Sequence, residues 1–312
     1  SRQSWGLGDL HDLSTLASWS GRELGAGFVL INPLHAATPV SPIENSPYLP
    51  VTRRFTNPIY LHVEDIPEFG ELKKKQRARI EESATALRAM SLTADLLDRN
   101  AVWAVKREAF GEIFNAGMSK SRRAEFDAYC SEQGVGLRDF ATWCAMCEVF
   151  GNDPSAWSAD YSRPNSPAVA IFRDAHAHIV EFQMWMQWQM DQQLASTQLA
   201  ARDAGMAIGI MADLAVGVHP SGADSWALQD VLARGVSVGA PPDMYNQMGQ
   251  NWSQPPWRPD ALAAADWAAL RPSPAVASTR SAGHRSVNSR CNACASSGSS
   301  SAIRAVAGVF MR

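Results

Sequence analysis

The sequence lacks any uncharged apolar segment that approaches the roughly 18 to 20 residues of a membrane-spanning helix. Its first residues, Ser1-Arg2-Gln3, also lack the basic and then apolar layout of a secretion signal. The formal net charge is only -3 over 312 residues, so no basic face for a nucleic-acid backbone or an anionic membrane is expected. These absences favour a cytoplasmic protein with a neutral partner, and they predict neither nucleic acid nor membrane as that partner.

Cysteine is scarce as well, with five in the chain, which does not indicate a disulfide scaffold. Cys144-x-x-Cys147 and Cys291-x-x-Cys294 have the spacing of two halves of a four-cysteine zinc site. The first pair, however, continues an apolar stripe at helical spacing that starts at Leu137, and a buried cysteine behaves as a small hydrophobe. We therefore favour packing over zinc and predict no metal site.

The first 67 residues predict a helix, a strand and a long loop. Leucine spacing indicates a helix from Asp9 to Leu24, capped by Asp9 and ended by Gly25. The apolar run 28–31 is typical of a strand buried on both faces of a parallel sheet. The Pro-, Ser- and Asn-rich stretch 37–67 is too long for an ordinary connection and lies where α/β folds place binding sites, which indicates a functional loop.

Residues 70–150 carry helical signals only, with expected helix ends at Gly117 and Gly151 and a solvated lysine run at 73–75. After a Pro/Ser-rich linker, one long helix is predicted from Ala168 to Asp203, with its Trp and Met stripe packed in the core. A second buried strand, 207–211, then delivers Asp213 at its carboxyl end. This order predicts an α/β fold: a partial (β/α)8 TIM barrel with a helical insertion subdomain, incomplete at the C-terminal side.

Four groups of short segments, spread in order over residues 1 to 267, carry a family resemblance. They are Ser4-Trp5-Gly6, Gly8-Asp9-Leu10 and Asn32-Pro33-Leu34-His35; Ser46-Pro47-Tyr48, Asn57-Pro58 and Tyr60-Leu61; Asp213-Leu214-Ala215-Val216-Gly217-Val218 and Asp224-Ser225-Trp226; and Gly239-Ala240-Pro241-Pro242-Asp243 and Gly249-Gln250-Asn251-Trp252. Together they resemble the amylomaltase (4-alpha-glucanotransferase) family, in a version similar to the actinobacterial type.

This resemblance implies transfer of α-1,4-glucan segments between maltooligosaccharides by a retaining mechanism, without a cofactor. It also implies substrate-binding roles for six side chains, those of Tyr48, Asp213, Trp226, Asp243, Gln250 and Trp252. Aromatic rings suit the apolar face of a sugar, and Asp and Gln suit its hydroxyls. From composition alone, the alternative is that Trp226 and Trp252 merely pack and that 241–243 is a stiff turn.

The implied division of the chain follows the motifs. Residues 1–69 are the first part of the barrel with the substrate loop, 70–166 the helical insertion, 167–270 a barrel helix, strand and lid loop, and 271–312 an aberrant, disordered tail. From Trp267 to Arg312 the sequence contains no Asp, Glu or Lys but six Arg among many Ser, Ala and Gly. The Arg-x-Asp-His segment expected here is absent, so the family pattern is truncated, by nature or through a reading-frame shift near Leu270.

Retaining transfer needs two carboxyl groups, a nucleophile and an acid/base. The family's catalytic residues map to no position of this chain, so we predict no catalytic residue in it. The leading hypothesis is a 4-alpha-glucanotransferase by family; the alternatives are a catalytically inactive glucan-binding fragment and, less favoured, an unrelated helical interaction protein. The sequence leaves the oligomeric state and the preferred glucan length open.

Overall fold

A computed structural model describes residues 3–91 and 96–270. Its helices and strands, in chain order, are α1 (Leu10–Leu24), β1 (Phe28–Ile31), α2 (Pro67–Glu71), α3 (Lys74–Ser91), α4 (Arg99–Ala116), α5 (Lys120–Phe150), α6 (Pro167–Ala175), α7 (Ala177–Asp203), β2 (Gly209–Ala212), α8 (Ala223–Ala227), β3 (Val238–Ala240), β4 (Gln250–Gln254) and α9 (Pro259–Ala264). The tail predicted at 271–312, with Cys291 and Cys294, lies outside the described residues.

Helix α1 begins and ends as predicted. The Asp9 side chain accepts hydrogen bonds from the backbone N–H groups of His11 and Asp12, and the Asp12 side chain accepts one from the Asp9 backbone in return. This capping box satisfies donors that a helix start leaves free, which contributes on the order of 1 kcal/mol. Gly25 ends the helix in the left-handed region, at φ 63°, where a residue without Cβ is favoured.

Strands β1 and β2 form a parallel pair in which Phe28 lies opposite Gly209 and Ile31 opposite Ala212. The chain between them contributes the insertion and helices α6 and α7, so the strands are joined by a crossover, as the βα progression predicted. The prediction that β1 is buried on both faces is wrong. Phe28 is 44% and Leu30 62% exposed, because within the described residues the sheet has two strands and nothing covers that face.

Two helices of the insertion end at the glycines, as the sequence predicted. The N–H of Gly117 donates to the Phe114 carbonyl at 3.1 Å, and the N–H of Gly151 donates to the Cys147 carbonyl at 2.9 Å. Helix α5 contains one non-helical residue, Gly134, at φ 61° and ψ -141°. The run of helical signals is therefore confirmed, with a kink that the periodicity did not predict.

The long helix predicted from 168 to 203 is two helices, because His176 leaves helical geometry at φ -118° and ψ 28°. Its ring stacks on Phe172 with centroids 4.1 Å apart, and its Nδ1 lies 3.0 Å from the Phe172 carbonyl oxygen. The core role of the Trp and Met stripe in α7 is confirmed, since Trp185, Met186, Trp188 and Met190 are buried. Rings of Phe114 and Trp185 pack at 5.6 Å between helices.

Cys144 and Cys147 are free and buried in the same core. Burial raises the pKa of both thiols, which keeps them protonated and apolar in character.

One connected core contains Trp5, Phe110 and Trp226, which belong to the three segments predicted at 1–69, 70–166 and 167–270. That division stays a prediction. None of the helices in the described ranges has the length and apolarity that a bilayer crossing requires.

Candidate functional site

The loop that follows β1 is anchored to the insertion by a buried lysine. The Nζ of Lys106, on α4, donates to the carbonyl oxygens of Ile59 and Leu61 at 2.8 Å each. Burial lowers the pKa of this ammonium to about 8, the direction expected when a charge leaves water. Two backbone carbonyls thus receive strong donors deep in the protein, and the loop is fixed on its inner side.

Tyr48 and Asp213 meet at the carboxyl ends of the two parallel strands. Asp213 follows β2 directly, and Tyr48 lies in the long loop after β1. The Tyr48 hydroxyl donates to Asp213 Oδ2 at 3.0 Å and lies 3.4 Å from Oδ1 of Asn32, the residue after β1. The hydrogen bond to Asp213 raises the pKa of the phenol. Two of the six predicted residues, 165 positions apart, are therefore brought together on the edge where α/β folds place their sites.

Strands β3 and β4 form an antiparallel hairpin at the predicted lid. A Cβ on Gly239 would lie 2.0 Å from the Gln250 carbonyl oxygen, so the two strands approach closely only because a glycine stands there. The hairpin is tied to the substrate loop because Gln254 Nε2 donates to the Tyr48 carbonyl at 3.1 Å. Loop and hairpin therefore form one continuous surface around Tyr48.

Three predicted residues lie on this hairpin, and their polar groups are partly engaged within it. Asp243 Oδ1 accepts the backbone N–H groups of Tyr245 and Asn246 at 2.8 and 2.7 Å, which makes 241–246 a fixed turn. Gln250 Oε1 accepts the indole N–H of Trp252 at 2.9 Å. The Trp252 side chain remains 38% exposed, and its ring is presented at the surface as a sugar-stacking residue requires.

Trp226 is different, because it is only 6% exposed. Its indole N–H donates to the Tyr161 carbonyl oxygen at 2.7 Å, and the ring belongs to the main core. It offers no open face to a sugar in this structure, so packing, the alternative considered for it, describes its contacts. A substrate-binding role for Trp226 stays a prediction without a supporting contact.

Asp224, on α8, binds the long loop that follows β1. This role was not predicted from the sequence. The buried carboxylate of Asp224 accepts the Thr52 hydroxyl and Arg54 Nε on Oδ1 and the Arg53 backbone N–H on Oδ2, each at 2.9 Å. The Asp-Ser-Trp motif marked the segment, but its partners lie about 170 positions earlier in the chain. No local spacing could have shown this contact.

Arg53 adds a second clamp on the segment after β2. One guanidinium nitrogen, Nη1, donates to the carbonyl oxygens of Ala215 and Val216 at 3.0 Å each. Nearby, burial and, to a smaller extent, the charge of Arg53 lower the pKa of His35 to about 4. His35 is therefore neutral at physiological pH, and its Nε2 lies 3.4 Å from the Ala215 backbone nitrogen, where it accepts a weak hydrogen bond.

These features are those of an α/β protein with its candidate site at the carboxyl ends of two parallel strands. More particularly, residues 1–273 match the Glyco_hydro_77 family, described as 4-alpha-glucanotransferase, and the chain belongs to this family. The resemblance inferred from the motifs is confirmed.

Relatives agree with this assignment. The chain is 53% identical over 277 residues to the 4-alpha-glucanotransferase of Mycobacterium tuberculosis, covering 87% of the chain and 38% of that protein. The Haemophilus influenzae 4-alpha-glucanotransferase is 31% identical over 285 residues, covering 86% of the chain and 40% of the relative. The chain therefore spans about two fifths of the length of these relatives.

Solved structures confirm the fold. The amylomaltase from Corynebacterium glutamicum superposes with a TM-score of 0.77 at 50% identity, covering 87% of this chain and 36% of that one. An amylomaltase from Streptococcus agalactiae in complex with acarbose gives a TM-score of 0.70 at 18% identity, covering 85% of this chain and 52% of that one. The predicted fold class, part of a TIM-barrel enzyme with a helical insertion, is confirmed by these structural relatives.

Proposed function

We propose that this chain supplies part of the glucan-binding cleft of a 4-alpha-glucanotransferase, which transfers α-1,4-glucan segments between maltooligosaccharides. The observation that carries the proposal is the junction of Tyr48 and Asp213 at 3.0 Å, linked to the hairpin through Gln254. This junction joins an aromatic ring and a carboxylate, and the Gln254 hydrogen bond connects them to the strand that carries Trp252. This is the side-chain chemistry that sugar recognition needs, since a glucose unit presents an apolar face rimmed by hydroxyls.

In this proposal the predicted side chains of the substrate loop, the strand end and the hairpin bind the glucan and do not react with it. Trp252 stacks on a glucose ring, and Asp213, held by the Tyr48 hydroxyl on Oδ2, accepts a glucan hydroxyl on its other carboxylate oxygen. Gln250 and Asp243 contact further hydroxyls from the hairpin. The hairpin acts as a lid that keeps water from the reacting centre, a need of any enzyme that must prefer a sugar acceptor to hydrolysis.

The chemistry itself is retaining transfer. A carboxylate displaces the leaving glucan from the anomeric carbon while an acid protonates the departing oxygen. The 4-hydroxyl of the acceptor then displaces the carboxylate and gives its proton to the conjugate base of that acid. The two carboxyl groups stand about 5 to 5.5 Å apart in such enzymes. We assign neither of them to a residue of this chain, so its own residues bind, orient and shield the glucan. No cofactor enters this scheme, and a cytoplasmic location is part of the proposal.

Glucan binding without transfer is the second candidate function. It is favoured by the predicted roles of Tyr48, Asp213 and Trp252, all of which are binding roles, while no nucleophile or acid is assigned. The two candidates differ in one readout, since both predict maltooligosaccharide binding and only the first predicts new chain lengths.

Calorimetric titration of the purified chain with maltotriose, followed by chromatography of the mixture, separates these outcomes. We expect binding that weakens by about five- to thirtyfold in Trp252→Ala, since loss of a stacking ring costs on the order of 1 to 2 kcal/mol. Trp19→Ala is the matched control, because Trp19 is also surface-exposed but lies on α1. Glucose and longer maltodextrins support transfer, binding alone supports the second candidate, and absence of binding contradicts both.

A further inference from the structure

We propose that His11, His62 and Asp65 form a binding site for a divalent metal ion of the zinc type. One ligand atom from each of His11, His62 and Asp65 lies within 4.8 Å of the others. These residues join the first turn of α1 to the turn at Val63–Asp65. They belong to neither the cysteine motif nor the candidate glucan site.

His62 is oriented as metal-bound histidines are. It is buried, and its Nδ1 lies 2.9 Å from Asp9 Oδ2, to which it donates. Asp9 is itself fixed, because its Oδ1 accepts the backbone N–H groups of His11 and Asp12. A carboxylate that holds one imidazole nitrogen sets the ring orientation and leaves the other nitrogen, Nε2, as the coordinating atom.

Glu64 points an unused oxygen at that same nitrogen. Its Oε1 accepts the Trp5 indole N–H at 3.0 Å and Arg88 Nη2 at 2.6 Å, whereas its Oε2 is buried without a hydrogen bond and lies 3.5 Å from His62 Nε2. Glu64 therefore lies outside the group of three ligand atoms, but its carboxylate adds negative charge beside the coordinating nitrogen of His62.

His11 and Asp65 form the outer side of the site. Their side chains are 41% and 46% exposed, and His11 Nδ1 lies 2.9 Å from Asp65 Oδ2. The His11 ring stacks on His62 with centroids 4.6 Å apart. Because a metal lies in the plane of each imidazole, His11 must turn out of this stack to coordinate. An adjoining cavity of about 450 Å³, lined in part by His11 and Asp65, gives the ring room to turn and gives the ion access.

The local charge suits a cation. The carboxylates of Asp9, Glu64 and Asp65 all act on His62, and the cations that interact with them are Lys106 and Arg88. Three negative and two positive groups leave a negative balance when the histidines are neutral, and the low-dielectric surroundings strengthen its attraction for a divalent ion. Imidazole nitrogen with carboxylate oxygen is a ligand set that zinc accepts.

The test uses the purified chain with Cys291→Ser and Cys294→Ser, so that this thiol pair contributes nothing. Calorimetric titration with zinc chloride is expected to show one ion per chain, and cobalt(II) is expected to give the visible absorption of tetrahedral coordination. His11→Asn and Asp65→Asn are each expected to weaken zinc binding at least about tenfold. Both side chains are half-exposed, so circular dichroism should show an unchanged fold.

His178→Gln and Asp174→Asn are the matched controls, because both residues are exposed and lie outside the cluster. Their zinc affinity is expected to match that of the parent chain. The proposal is overturned if the parent chain binds no zinc, if either cluster variant loses less than about tenfold, or if the controls lose as much as the cluster variants.

Discussion

The apolar side chains compared here are buried in the helical insertion but exposed in the two-stranded sheet. In the insertion, Phe110 and Leu137 are fully buried against other helices. In the sheet, Phe28 and Leu30 are largely exposed although their sequence is as apolar. The insertion finds its packing partners within the described residues, whereas one face of the sheet does not. An apolar segment is therefore buried only where other elements of the structure pack against it.

The sharpest way to break this comparison is to truncate one side chain in each region. Phe110→Ala is expected to lower the free energy of unfolding by about 3 to 5 kcal/mol, because it removes a ring from a closed core. Leu30→Ala, the matched sheet variant, is expected to change it by no more than about 0.5 kcal/mol. Urea unfolding followed by circular dichroism measures both. A Leu30 effect as large as that of Phe110 would show that the sheet face is covered in solution.

The second prediction concerns the clamp between the sheet and its loops. Asp224→Ala is expected to lower the free energy of unfolding by about 3 kcal/mol, because the Thr52 hydroxyl and Arg54 lose a shared buried acceptor. Asp230→Ala is the control, since the ion pair of Asp230 with Arg163 is exposed and worth less than about 1 kcal/mol. Equal effects of the two variants in denaturant titrations would contradict a clamping role.

The third prediction uses the lowered pKa of His35. Its pKa falls from the ordinary 6.5 to about 4 in the folded protein, so the unfolded chain binds this proton more readily. The stability due to a neutral His35 is complete above pH 6.5 and is lost as the pH falls from 6.5 to about 4, by about 3 kcal/mol. The difference in unfolding free energy between the parent chain and His35→Gln should shrink over this range. A constant difference would mean that His35 titrates normally.

The smallest effect is expected at the sheet edge itself. Tyr48→Phe removes the hydroxyl that donates to Asp213, and because the pair is exposed, the free energy of unfolding should fall by less than about 1 kcal/mol. Maltotriose affinity should nevertheless drop, since the substrate loop loses its tie to the strand end. A Tyr48→Phe chain with unchanged stability and unchanged affinity would remove this pair from the site. Tyr245→Phe, at the exposed hairpin tip, serves as the control.

Local sequence signals predicted the local structure well. Both ends of α1, the glycines that end α4 and α5, and the buried Trp and Met stripe of α7 follow from caps and helical spacing. The break at His176 was missed because helical periodicity continues on both sides of one residue with non-helical angles. Helix caps and buried stripes are set by residues close together in the sequence, so they can be predicted locally. A single residue with non-helical backbone angles does not change the hydrophobic periodicity and is therefore missed.

Contacts between residues far apart in the sequence were predicted only in part. The motifs brought Tyr48 and Asp213 into one predicted site, which the structure joins, but they gave no information on whether Trp226 is open or buried. Nor could they show the Asp224 clamp or the cluster of His11 with His62, whose partners lie more than 50 positions apart. Burial and pairing of this kind depend on which residues become neighbours in the folded protein. Local motifs in a single sequence do not reveal these neighbours.

The account rests on a glucan-binding surface at Tyr48, Asp213 and Trp252, and fluorine NMR tests it most directly. The chain is labelled with 5-fluorotryptophan, and single Trp→Phe variants assign the resonances of Trp252 and Trp226. The account predicts that maltotriose shifts the Trp252 resonance and leaves those of the buried Trp226 and Trp185 unchanged. A shift confined to Trp226, or no shift at any tryptophan at saturating maltotriose, would contradict it.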